Sequence, residues 1–96
     1  MRLAYHPLVQ SDVSGILRRY DGISRRLGDE FWMELMSMIE VVGKQPERFH
    51  FAEGGLRRAN MSRFPYHLLF RVRPEGVRVI VVRHNRRNPS YGLGRK

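Results

Sequence analysis

The hydrophobic pattern changes period halfway along the chain, and that change limits the folds open to it. Val9, Val13, Ile16, Leu17 and Tyr20 fall on one face of a helix. Phe31, Leu35, Met38, Ile39 and Val42 repeat the spacing. Beyond residue 55 the period becomes that of strands. Leu56 to Met61, Tyr66 to Arg73 and Val77 to His84 are rich in β-branched and aromatic residues. Arg2 to His6 reads as a short first strand ended by Pro7, which also suits the first turn of a helix. A break between the helices is expected near Gly22 or Gly28, with Asp29 as cap for the second. Gly43 and Pro46 close it. The expectation is an α+β fold, in which an N-terminal strand and an antiparallel helix hairpin pack on one face of a small, mainly antiparallel sheet. With 96 residues, 1–96 forms a single domain, because two cores of half that size could not bury enough surface.

The turn between the last two runs allows a sharper expectation. If Glu75-Gly76 is a two-residue hairpin loop, Pro74 pairs with Val77 and His67 lies across from His84. Tyr66, Leu68, Phe70, Val72, Val77, Val79 and Val81 then share an apolar face for the helices to cover. His67, Arg71, Arg78 and His84 share the outward face.

Charge is distributed unevenly. Residues 1–48 carry seven basic and seven acidic side chains. Residues 49–96 carry eleven basic ones against Glu53 and Glu75, which accounts for the whole net charge of +9. A polyanionic partner, nucleic acid or an acidic protein, suits that asymmetry. Cysteine is absent, which excludes disulfides and thiolate metal sites. His6, His50, His67 and His84 lack metal-ligand spacing, so neither metal nor cofactor is expected. Val79 to Val82, the longest uncharged apolar stretch, is too short to cross a membrane, and the N-terminal segment has no leader-like run. A cytoplasmic protein without membrane contact is expected.

Histidine, arginine and tyrosine near the last strand fit metal-independent RNA cleavage, which needs a base, an acid and fixed cations beside the phosphate. They fit binding of RNA or DNA equally well. His67, His84, Arg87 and Tyr91 are the candidate catalytic residues. Arg57, Arg58, Arg63, Arg71 and Arg86 are candidates for contacting a nucleic-acid backbone. Asp12, Asp21, Glu34 and Glu40 read as solvated surface, and Trp32 and Met36 as core or, alternatively, as a seat for a partner helix. The glycines and charges of Tyr91 to Lys96 read as a mobile tail.

Gly55-Leu56-Arg57-Arg58, Arg63-Phe64-Pro65-Tyr66, Phe70-Arg71-Val72 and Val82-Arg83-His84-Asn85-Arg86-Arg87-Asn88-Pro89, in this order, resemble the RelE/ParE toxin superfamily over nearly the whole chain. The resemblance implies the toxin of a type II toxin–antitoxin system, held by an acidic antitoxin protein. RelE-like members cleave mRNA on the ribosome; ParE-like members poison DNA gyrase. Arg87 stands where the RelE-like chains carry an arginine near the end of the last strand, and Tyr91 where they carry a tail tyrosine. His67 replaces an arginine of the penultimate strand, and Arg58 and Asn60 replace two lysines. Arg63-Phe64-Pro65-Tyr66 and His84-x-Arg86-Arg87 are closer to ParE-like chains. The alternative is a non-toxic, basic nucleic-acid-binding module of the same fold.

Overall fold

A computed structural model describes residues 1–96. The elements run β1 (Leu3–Tyr5), α1 (Val9–Asp21), α2 (Arg25–Lys44), β2 (Arg57–Asn60), β3 (Tyr66–Arg73) and β4 (Gly76–His84), with short 3-10 turns at Pro46–Arg48 and Glu53–Gly55. The sheet order is β1-β4-β3-β2. β1 runs parallel to β4, and the other neighbours are antiparallel. No helix is long and apolar enough to cross a membrane.

The second helix starts earlier than Asp29. Ser24 caps it, its Oγ accepting the Leu27 N–H at 3.1 Å. Gly28 lies inside α2 because Asp21 presses against it. A Cβ there would come within 1.8 Å of the Asp21 carboxylate. The glycine marks a close approach between the helices rather than a break.

Both helices pack on the face of the sheet that carries Tyr66, Leu68, Phe70, Val77 and Val79, as the alternation requires. Tyr20, Phe31, Phe64 and Tyr66 cluster at one end, with centroids 5.1–5.6 Å apart along four of their contacts. Met36 packs against this core, half-buried. Trp32, expected inside, is 45% exposed, since it stands off the stripe that faces the sheet.

The expected hairpin register does not form. The loop is Pro74-Glu75, and Arg73 pairs with Gly76 rather than Pro74 with Val77. Gly76 takes φ 147°, and a Cβ on it would lie 2.2 Å from the Arg2 carbonyl oxygen. Farther along, Phe70 pairs with Val79 but Leu69 with Val81, so Ile80 is an extra residue, a β-bulge. The bulge reverses the parity of β4. Val82 joins the helix face, while Ile80 and Val81 join Leu56 and Leu69 on the other. His84 pairs with Tyr66, and His67 pairs with Arg83. The two histidines are therefore on opposite faces, and the constellation expected on one outward surface is divided.

Nor is that second face bare. Ala52, Tyr91 and Leu93 cover its apolar centre. Gly92 lies so close to Val81 that a Cβ would fall 2.8 Å from that side chain. The tail is a docked strap, held by Arg95. Its Nη1 and Nη2 donate to Asp12 Oδ2 and Oδ1 at 2.7 and 3.0 Å, and Nη1 also reaches the Ile80 carbonyl at 3.1 Å. Asp12 Oδ2 accepts the Val82 N–H at 3.1 Å as well. β1 covers β4 only from Val77 to Val79. Beyond it, the carboxylate and guanidinium take the place of a strand and satisfy the open edge. Asp12 is thus a buried structural group, not solvated surface. Glu34 is likewise engaged, accepting the Ser62 and Arg63 N–H groups. Glu40 pairs with Lys44 on the exposed side of α2.

Candidate functional site

Where β4 ends, the chain turns back along α1 and leaves a cleft of about 320 Å³. Ser11 and Arg19 of α1 form one wall; Tyr66, His84, Arg87 and Tyr91 form much of the rest. The bulge at Ile80 puts His84 here by turning it toward the helices. Its ring stands edge-on to Tyr66, centroids 5.0 Å apart. His84 Nδ1 accepts the Arg86 N–H at 3.0 Å, which in the neutral ring leaves the proton on Nε2. Arg19 Nη1 donates to the Tyr66 hydroxyl oxygen at 3.4 Å, and the Arg87 guanidinium lies 4.0 Å from the Tyr91 ring centre. Arg95 Nη2 donates to the Tyr91 hydroxyl oxygen at 3.3 Å. Both phenol oxygens thus accept a hydrogen bond from arginine, and each keeps its own O–H for donation.

Arg83, pointing to the other face, fixes the cleft's rim. It is 4% exposed, and its donors are distributed among four acceptor groups. Nη1 reaches the Pro89 and Tyr91 carbonyls, both at 2.8 Å, and Nη2 pairs with Glu53. Nε donates to His67 Nε2 at 2.9 Å. An arginine Nε–H can only donate, so His67 Nε2 accepts. Nδ1 then carries the proton and gives it to Asn85 Oδ1 at 2.8 Å. Burial holds the His67 pKa below the usual imidazole value; Arg58 and Arg83 push the same way, against the Asn85 hydrogen bond and Glu53. Glu53 is held below the usual carboxylate range by its own backbone hydrogen bond first, then by Arg83 and Arg58, against its desolvation. His67 is a neutral, internally satisfied link in a structural network and lies outside the cleft.

Of the candidate catalytic residues, the structure brings His84, Arg87 and Tyr91 together and separates His67 from them. The candidate backbone-contacting arginines are scattered. Arg57 donates to the Phe49 carbonyl at 2.7 Å and lies 4.1 Å from the Phe51 ring centre, pinning the segment before β2. Its Nε is buried with no partner. Arg58 donates to Asn60 Oδ1 at 2.8 Å. Arg63 pairs with Glu30 of α2 at 3.1 Å. Arg86 is exposed beside His84, and Arg71 stands near the far end of the sheet, across from Arg78. Sequence reasoning missed Arg19, whose place on the flank of α1 follows no spacing rule. It also missed Tyr66 as a polar group, although a buried tyrosine hydroxyl ordinarily needs a partner. Arg83 gave no signal apart from its neighbours.

No protein-family model matches the chain, and no curated protein matches it in sequence. Its fold is similar to that of a solved chain from the chromosomal ParDE TA system of P. aeruginosa. The TM-score is 0.78 at 16% identity, with 88% of this chain and 95% of that chain covered. The expected α+β architecture is thus the one this chain shares with that neighbour, across nearly the full length of both.

Proposed function

We propose that this protein is the toxin of a type II toxin–antitoxin pair, and that it acts by binding DNA gyrase through the cleft rather than by cleaving RNA. One observation carries the choice between them: neither candidate imidazole has a free lone pair. His84 Nδ1 is filled by the Arg86 N–H and His67 Nε2 by Arg83. A general base must take up a proton from the attacking hydroxyl. The cleft instead gathers donors: the Arg19 and Arg87 guanidiniums, the His84 Nε2–H and the two tyrosine hydroxyls. Such an array suits a carboxylate or phosphate held in place. The likeness of fold to a ParDE chain supports the same side, as do the ParE-like phrases around Arg63 and His84. An acidic antitoxin in the cytoplasm would answer the net charge of +9 carried by residues 49–96.

A second reading, cleavage of mRNA on the ribosome, draws on Arg87 and Tyr91 meeting in the cleft, as the RelE-like pattern implies. Two measurements separate the readings. Purified gyrase is expected to lose supercoiling activity with the wild-type protein and to keep it with Arg19→Ala/Arg87→Ala. Unchanged supercoiling at a large excess of wild type rules out gyrase as the target. New 5′ ends inside translated messages after brief expression would overturn the binding reading in favour of cleavage.

A further inference from the structure

At the opposite end of β4 from the cleft lies a second, smaller concavity of about 190 Å³, at the β3–β4 turn. Arg2, Arg73, Arg78 and Lys96 line it, with Glu75 the one acidic side chain. Arg71 adjoins it, directly across from Arg78 in the register. Arg71, Arg73 and Arg78 are half-buried and Arg2 is exposed. None of the molecule's ion pairs includes any of the four. Arg78 Nε donates to the Lys96 main-chain oxygen at 3.0 Å, which leaves both of its Nη groups for a ligand. Like charges directly opposite each other in a sheet work against folding. The arrangement therefore acquires a favourable role only when an anion covers it.

We infer that this hairpin end docks the phosphate backbone of a nucleic-acid duplex, independently of the cleft. Residues two apart on a strand stand about 6.8 Å apart on one face. Arg71 and Arg73 with Arg78 across thus form a short cationic row, suited to the repeated charge of a phosphodiester chain. The concavity has no aromatic lining. Single strands are ordinarily held by bases stacked on aromatic rings, so a duplex, whose bases stay stacked inside, is the better fit. An acidic protein partner would instead call for apolar anchor pockets among the charges, and Ala4 and Val77 are the concavity's only hydrophobic lining. The contact reads no sequence, because it meets only phosphates.

The test is fluorescence anisotropy with a labelled 20-base-pair DNA duplex, a matching RNA duplex, the single strands, and decaglutamate, each at several salt concentrations. Arg71→Ala/Arg78→Ala is expected to weaken duplex binding about tenfold and to flatten the log–log salt dependence by about 1.8, or 0.9 per lost phosphate contact. Its melting temperature is expected to rise, since a repulsion is removed. Arg2→Ala/Arg73→Ala provides a second disruption of the patch that leaves the Arg71–Arg78 pair intact. Arg18→Ala/Arg25→Ala, on exposed helix positions elsewhere, removes the same charge and is expected to leave affinity within about twofold. Equal weakening by all three double variants overturns the proposal, because binding would then follow net charge alone. Tighter binding of decaglutamate or single strands than of both duplexes also overturns it. The relative affinity of the DNA and RNA duplexes identifies which backbone is preferred.

Discussion

Removing Arg95 tests whether a side-chain pair can substitute for a missing strand. In the pair with Asp12 the side chains are 10% and 4% exposed, so it belongs with buried pairs rather than surface ones. Taking away one partner of a buried pair costs about 3–5 kcal/mol, because the other charge is left without compensation. Arg95→Ala also strips the Ile80 carbonyl of its donor but leaves the Val82 N–H on Asp12. A loss of about 3 kcal/mol is expected, out of the 5–15 kcal/mol typical of a domain. Urea denaturation reads this as a fall in midpoint of about 1–3 M for a slope of about 1–3 kcal/mol/M. The informative variant is Asp12→Leu/Arg95→Met. Replacing an ordinary buried ion pair with apolar side chains often restores stability. Here it leaves the Val82 N–H and the Ile80 carbonyl without partners, each at about 1–3 kcal/mol. The double variant should therefore stay at least about 2 kcal/mol below wild type. Wild-type stability in the double variant would refute the edge-capping argument and reduce the pair to electrostatics.

Two further outcomes follow from geometry elsewhere. An unfolded histidine titrates near 6.5, whereas His67 is held below that when folded. The unfolded chain thus takes up the proton first, so His67's contribution is complete above about 6.5 and is lost as pH falls from there toward the depressed value. Urea stability measured across this range should decline in wild type and decline less in His67→Gln; equal slopes would count against it. Gly92→Ala should cost about 2 kcal/mol, since φ is 85° and the new Cβ would press into Val81. Trypsin should then cut faster after Arg86 and Arg87, and an unchanged rate would show that the strap does not depend on this contact.

The helices and strands were legible because burial leaves a periodic trace, and α1 and β3 occupy the residues their patterns marked. Pairing register was not. Val79-Ile80-Val81-Val82 is apolar at every position, so a strand with a bulge and one without it read alike. The turn misled for a related reason: Gly76 was read as a loop residue, whereas it ends the loop and lets β1 approach. Those two shifts place His84 with Tyr66 and send His67 into a polar network. The resemblance to RelE-like chains pointed to Arg87 and Tyr91, and the structure brings the two to one cleft. Arg19 was not, since its partner Tyr66 is 47 residues away and leaves no local mark. Asp12 looked like any helix-surface acid for the same reason.

That separation also governs the order in which the molecule can be completed during synthesis. Asp12 emerges from the ribosome early, 83 residues ahead of its partner. Until Arg95 follows, α1 has a carboxylate without its cation, β4 has an open flank, and the apolar spots destined for the strap are uncovered. A growing chain of this protein is therefore vulnerable for almost its whole translation, and final closure has to wait for its distal segment.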